Sequence, residues 1–346
     1  MVMEPDLGKE TANSLDLLRL AAASMVLYSH QHVLLGYPET NFLGLSSYGG
    51  AGVSVFFFLS GFLVWSSWTR DPQAIRFFKR RALRIFPALW VLTFFTVLVF
   101  GPAMSVLPLQ GYLESAETWR YMSTAILLVR YSLPGVFENN PYPHAVNGSL
   151  WTLPLEFLCY LMVATVGVIF RRSAGWGLFI GMGLALGGAV FGVALLGERF
   201  LAHFEMVAFF WWGAVYAFVR NQKNPPTRPL VTASSVLLTL WVFWGAGPRG
   251  MERTALLFFA MGLVYLAQEW SGGARLTSRW GDLSYGMYIF AFPVQQALVL
   301  AGKSYSWSFE VYLAMSFGLT LVLSWLSWHF VEKRALRLKP RMAAVS

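Results

Sequence analysis

The sequence predicts an all-α, polytopic integral membrane protein of about ten transmembrane helices with both termini cytoplasmic, and three observations predict it. The 346 residues are 56% hydrophobic and only 12% charged, about half the charge of an average soluble domain. The apolar residues fall into stretches of about 20, the length a bilayer requires. The basic residues gather on alternate loops. Such figures exclude a disordered chain, a collagen-like or coiled-coil fibre and a large water-soluble enzyme. One cysteine, Cys159, removes a disulfide framework and a Cys-rich zinc site, and no metal is expected.

Candidate spans lie near 15–36, 50–69, 84–101, 149–170, 177–196, 203–219, 229–245, 254–269, 283–300 and 309–330. The first opens with Asp16 and Arg19 and lacks a small-residue cleavage pattern, so it is expected to be a retained helix rather than a signal peptide. With the N-terminus inside, the N-terminal segment, the inner loops and the tail hold 19 Lys and Arg. The outer segments hold only Arg120, Arg130, Arg199, Arg249, Arg253 and Lys303. This is a positive-inside bias, so the formal charge of +9 reflects topology, and no nucleic acid is expected as a partner.

The chain reads as one domain over 1–346, with catalytic helices within about 15–170, supporting helices within about 177–330 and a basic cytoplasmic tail at 331–346. Segment 102–148, rich in proline and aromatic residues, is too long for a plain connection and is expected to form a structured cap over an outer cavity.

Ionisable groups at membrane depth are costly, and their default reading is functional. Arg19 and His30 are 11 positions apart, which at about 100° and 1.5 Å per residue puts them on one helix face, about 16 Å apart. A neutral imidazole can take a proton from a hydroxyl as its oxygen attacks an acyl carbon, and that role falls to His30. A lone histidine would more often be a hydrogen-bonded packing residue; Arg19 and Asp16 beside it shift the balance. Glu156, about two turns inside the fourth span, has the depth to orient and charge-balance His30, as a carboxylate does in a triad. The bland reading is a carboxylate snorkelling to the surface.

The stretch Arg76-Phe77-Phe78-Lys79-Arg80-Arg81-Ala82-Leu83-Arg84 repeats arginine at helical spacing. It can clamp phosphates at the cytoplasmic mouth, or anchor the loop to anionic lipid. Asn147, Ser149 and Trp151, at the head of the fourth span, are candidates for the acceptor side, although Trp151 alone would be an interfacial anchor. Gly52, Ser60 and Gly61 in the second span read as packing residues.

Taken in order, these features resemble the membrane-bound acyltransferase family 3, which includes bacterial O-acetyltransferases of surface polysaccharides. The resemblance runs from Leu15 to about Lys333. It rests on Leu15-Asp16-x-Leu18-Arg19 with His30, Gly52-Val53-Ser54-x-Phe56-Phe57 through Gly61-Phe62, and Arg80-Arg81-x-x-Arg84-Ile85-x-Pro87. Asn147 to Leu153 with Glu156, Leu283-Ser284-Tyr285 with Tyr288 and Pro293, and Phe330-Val331-Glu332-Lys333 complete it. It implies that His30 is the catalytic histidine, that Arg19 belongs to the donor site and that Arg81 and Arg84 form its arginine pair. It also implies an acetyl-CoA or similar acyl-CoA co-substrate and no permanently bound cofactor; from the arginine cluster itself, Arg80 is expected to meet the CoA phosphates with Arg81 and Arg84. The implied partners are a glycan or lipid-linked glycan acceptor and the bilayer of the cell inner membrane; a homodimer is compatible with it. Two positions depart from the family pattern: many members carry an acidic residue at Ser54 and a histidine at Ala291.

Two other readings share the composition. A transporter or flippase of glycan precursors would show paired broken helices and internal symmetry, which the sequence lacks. A non-catalytic subunit of a polysaccharide assembly complex leaves Arg19, His30 and Glu156 at membrane depth without a reason.

Overall fold

The computed structural model describes residues 14–171, 173–187, 197, 200–221, 248–270 and 272–340. Its long helices are α1 (Ser14–Leu34), α2 (Tyr48–Arg70), α3 (Ala74–Phe95), α4 (Thr152–Ile169), α5 (Ala174–Gly187), α6 (Leu201–Asn221), α7 (Pro248–Glu269), α8 (Gly272–Trp280), α9 (Ser284–Gly302) and α10 (Phe309–Ser327). Six stretches among the described residues are long and apolar enough to cross a membrane: Tyr48–Arg70, Ala74–Met104, Gly148–Ile169, Leu201–Arg220, Gly250–Glu269 and Phe309–Leu336. The helices α1 and α9, which match two further expected spans, hold 21 and 19 residues, about 30 Å of helix each. Of the remaining expectations, 177–196 is described only as far as Gly187, and 229–245 lies outside the described residues.

Helix α2 is the hub, packed along α6 and α1 and touching α4 and α7. Small residues make this possible, because bilayer lipid is as apolar as leucine and helices associate by close packing rather than by escape from water. A Cβ on Gly61 would run into the carbonyl of Phe210, and one on Gly213 into the carbonyl of Phe58. The backbones of α2 and α6 therefore touch at reciprocal glycines. Gly52 performs the same service against Ala22 of α1. Ser60, expected to pack, instead turns its hydroxyl to Glu156 of α4 at 2.9 Å.

Helix α9 packs on α1 and α10, and buried amides lock it. Gln295 donates to the Leu27 carbonyl at 2.8 Å and to Gln31 Oε1 at 3.0 Å, where Ser316 of α10 also donates at 2.8 Å. Three helices thus share one polar node, in which the Gln31 carbonyl oxygen accepts two hydrogen bonds. The departure at Ala291 belongs to this apolar seam, packed with Ala23, Leu27 and Met287.

The segment between α3 and α4 is ordered. It contains short helices Leu109–Glu114 and Ala116–Arg120, followed by a 3₁₀ turn over Tyr121–Ile126. Tyr112, Tyr121, Leu133, Val136 and Phe137 form its own core with Val97 of the extended α3. Asn140 donates to Gln296 Oε1 at 2.7 Å, and Gln296 donates to the carbonyls of Tyr142 and Ala145 at 2.8 Å. The segment is therefore strapped to α9. It does not roof the cavity that holds His30. That wall comes from the 39–50 stretch, where β1 (Asn41–Phe42) pairs antiparallel with β2 (Ser46–Ser47), and from the opening turns of α6 and α7.

Candidate active site

The α1 stripe opens into two cavities. Arg19 lines one of about 120 Å³ together with Arg81, Arg84, Ser60, Glu156, Tyr160 and Tyr285. His30 lines another of about 430 Å³ with Glu39, Ser54, Trp151, Glu205, Glu252 and Arg253. Val53 and Tyr288 line both. One helix thus carries a cation into the first chamber and an imidazole into the second, and a valine and a tyrosine form the wall they share.

In the arginine cavity, carboxylates set the guanidinium positions. Arg19 Nη1 lies 2.5 Å from Asp16 Oδ1 and 2.8 Å from Asp282 Oδ2. Arg84 Nη2 meets the same Asp282 oxygen at 2.5 Å, and its Nη1 lies 3.6 Å from Glu332. Burial acts to raise the Asp282 pKa, but Arg84 and Arg19, with the Ser284 hydroxyl and amide, hold this carboxyl far below its usual range. Asp282 therefore stays ionised. Arg81 donates to Ser67 Oγ at 3.1 Å, and its guanidinium sits 5.8 Å from the ring centroids of both Phe77 and Tyr160. Planar, weakly hydrated guanidinium suits such an aromatic slot while its remaining donors face the cavity.

Arg80 departs from the expected cluster. It is buried, donates to Asp71 Oδ2 at 2.6 Å, and lies outside the arginine cavity. Arg76 binds the same carboxylate in a two-pronged contact at 2.6 and 3.0 Å. These bonds from Arg76, with Arg80 adding to them against the opposing effect of burial, pull Asp71 down to about 2. The reason is azimuth: Arg80 and Arg76 share a helix face that meets the α2–α3 turn, whereas Arg81 and Arg84 turn inward.

Glu156 accepts from Ser60 at 2.9 Å and from Tyr160 at 2.5 Å, inside the arginine cavity. It shares depth with His30 but not a chamber, so the expected Glu156–His30 pair does not form. The His30 ring stands edge-on to Phe292 at 5.2 Å, and its buried Nδ1 has no hydrogen-bond partner among the described residues.

Asn147 and Ser149, expected on the acceptor side, build the head of α4 instead. The Asn147 side chain accepts from the Ser149 amide at 3.2 Å and donates to the Ile289 carbonyl at 2.8 Å. Capping and cross-helix bonding engage both the oxygen and the nitrogen of its amide. The Ser149 carbonyl accepts from Tyr288 at 2.8 Å, and neither Asn147 nor Ser149 lines the two cavities. Trp151 alone of the three faces the His30 cavity. The Ser54 hydroxyl donates back to the Gly50 carbonyl at 2.9 Å, so the acidic groups here are Glu39, Glu205 and Glu252.

A profile of the acyltransferase domain, acyltransferase family 3, matches residues 12–329. The chain belongs to this family. Among curated relatives, this acyltransferase is 33% identical to the O-acetyl transferase of Shigella phage Sf6 over 343 residues, 96% of this chain and 98% of that one. It is 29% identical to nodulation protein 10 of Rhizobium leguminosarum bv. viciae over 363 residues, 96% and 95% of the two chains. Over 139 residues, 40% of this chain and 39% of the relative, it is 33% identical to the exopolysaccharide production protein ExoZ of Rhizobium meliloti. No solved structure matches significantly.

Sequence reasoning on this acyltransferase missed Asp282, Tyr160 and the carboxylates of the His30 cavity. Asp282 stands two residues before the Ser284-Tyr285 motif, and an acidic residue at a helix entrance was the one signal that could have drawn notice. Tyr288, which follows the same motif, lines both chambers.

Proposed function

We propose that the protein transfers an acyl group, acetyl in the first instance, from cytoplasmic acyl-CoA to a sugar hydroxyl of a surface polysaccharide or its lipid-linked precursor, within the inner membrane. The observation that carries this reading is the pair of cavities meeting at Val53 and Tyr288, with arginines in one and His30 in the other. Arg19, Arg81 and Arg84 supply bidentate donors of the kind that recognise phosphate. The positive-inside bias supports a cytoplasmic donor face. The His30 cavity, with its carboxylates, Trp151 and serines, offers the hydrogen-bond acceptors and aromatic surface that suit a sugar.

In this scheme the acyl-pantetheine arm extends along the α1 stripe, which covers about 16 Å, and brings the thioester to the shared wall. His30 takes the proton of the sugar hydroxyl as its oxygen attacks the thioester carbonyl. The C–O bond forms, the C–S bond breaks, and the departing CoA thiolate receives the proton from the imidazolium. Glu156 is a positioning residue of the donor chamber, holding Tyr160 beside Arg81. The names of the phage O-acetyl transferase and the exopolysaccharide protein support acetyl as the group and a glycan as the acceptor.

The test is thiol release from acetyl-CoA by the full chain in nanodiscs, with membranes bearing host glycan as acceptor. His30→Gln should lower transfer by about 100-fold or more while the variant elutes and melts like the parent. Retained transfer in His30→Gln overturns the mechanism. Glycan movement without thiol release would favour a transporter.

A further inference from the structure

The charges that line the His30 cavity are unbalanced. Among the described residues there, Glu39, Glu205 and Glu252 bring three carboxylates, and Arg253 brings the one guanidinium. That guanidinium is already engaged. Arg253 of α7 pairs with Glu205 of α6, and the two side chains are only 18% and 14% exposed. Glu39, from the stretch before α2, accepts from the Ser29 hydroxyl at 2.7 Å, one residue before His30. Its carboxylate is thereby tied to the helix that carries the imidazole.

These groups sort ligands by charge. An ionised carboxylate accepts hydrogen bonds and donates none, so its oxygens can take hydrogens from sugar hydroxyls. A sugar that itself bears a carboxylate offers acceptors to acceptors and adds a like charge, which is penalised by repulsion. The cation that could receive it is held by Glu205. The arginine cavity has the inverse balance, with Arg19, Arg81 and Arg84 lining it against Glu156. One α1 stripe therefore joins a chamber suited to an anion to a chamber that refuses one.

Resting on the acyl-transfer reading above, we infer that the His30 cavity selects an uncharged sugar residue as acceptor and rejects one bearing a carboxylate. Glu39 and Glu252 are the repelling groups, and Glu205 keeps Arg253 from pairing with an acidic sugar. Discrimination of this kind works by penalising the wrong ligand as much as by favouring the right one.

The experiment measures binding by saturation-transfer NMR on the full chain in phosphatidylcholine nanodiscs without acyl-CoA. The probes are methyl glucoside with methyl glucuronide and methyl galactoside with methyl galacturonide, each pair differing only in a hydroxymethyl or carboxylate group. In the parent protein a neutral glycoside should give signal above that of empty nanodiscs, and its uronide about a tenth of that signal or less. Glu205→Gln, which releases Arg253, should raise the uronide-to-neutral ratio about fivefold or more. Glu39→Gln and Glu252→Gln should raise it by a smaller factor; both leave the ion pair intact and keep the test decisive if the Glu205 variant does not fold. A uronide that binds as well as its neutral partner, no signal from either pair in the parent, or a ratio that none of the three variants moves overturns the proposal. A parallel thiol-release assay with membranes bearing host glycan separates the two readings. Charge discrimination without thioester consumption sustains the selectivity and removes acyl transfer. Thioester consumption with a uronide bound as well as its partner removes the selectivity alone.

Discussion

Arg19 of α1 and Arg84 of α3 donate to the same oxygen of Asp282, at 2.8 and 2.5 Å. One carboxylate at the α8–α9 turn therefore fixes the spacing of two cations from helices far apart in sequence. With Asp16 and Glu332 nearby, the cluster is close to neutral before any anion arrives. Its donors are held in place, so an incoming phosphate need not order two long side chains.

Asp282→Asn should therefore act on donor binding. The expected result is a KM for acyl-CoA about tenfold higher, equivalent to about 1.4 kcal/mol, with a much smaller change in kcat. Asp282→Glu, which keeps the charge on a longer arm, should recover part of the loss. Equal losses in both variants with KM unchanged would show that Asp282 supports the fold only, and steady-state kinetics against acyl-CoA distinguishes these.

Glu156→Gln distinguishes a donor-chamber role from a triad role. A carboxylate that held the catalytic imidazole would cost about 10⁴-fold in kcat on removal. Because Glu156 instead accepts from Ser60 and Tyr160, the expected loss is about tenfold or less, the cost of weakening hydrogen bonds to a charged group. The pH profile of kcat should keep its shape, since the imidazole has lost no partner.

What was legible in the sequence follows from what one helix can encode. The Arg19–His30 stripe was readable because spacing along a continuous helix sets both face and rise. Depth was readable for Glu156, but azimuth between helices was not, so a residue level with His30 turned out to face another chamber. The arginine run was readable as a helix face, yet which arginine turns inward depends on the α2–α3 turn, where Asp71 captures Arg80 and Arg76. Asp282 is 198 positions from Arg84, and no local pattern announces such a pair. The 47-residue segment 102–148 showed its order through prolines and aromatics, but not the Gln296 strap that places it beside α9.

The Asp71 node gives a pH-dependent stability. Its folded pKa lies near 2, below the unfolded value of about 3.9. A depressed carboxyl contributes stability that is complete above the unfolded pKa and disappears as pH falls through the folded one. Asp71→Asn should lower stability by about 1–3 kcal/mol at pH 7. The gap to wild type should be constant from pH 5 to 8 and close only between about pH 4 and 2. Thermal unfolding in detergent across that range checks the sign.

Tyr288 stands where the two chambers meet. Its hydroxyl donates to the Ser149 carbonyl at 2.8 Å and pairs with Thr152 Oγ1 at 2.6 Å, which pins the ring between α9 and the head of α4. Tyr288→Phe keeps the ring and removes the pins, at a cost of about 1–3 kcal/mol for the lost hydrogen bonds to Ser149 and Thr152, so it should melt earlier yet still couple thioester cleavage to transfer. Tyr288→Ala widens the junction at which a sugar hydroxyl meets the thioester. Water from the His30 cavity then fills the added space beside the thioester, and His30 can activate it as readily as a sugar hydroxyl. The expected signature is thiol release that continues without a glycan acceptor and acetate appearing in place of acetylated sugar. A Tyr288→Ala protein that folds and still releases thiol only with acceptor present would show that other residues keep water from the thioester.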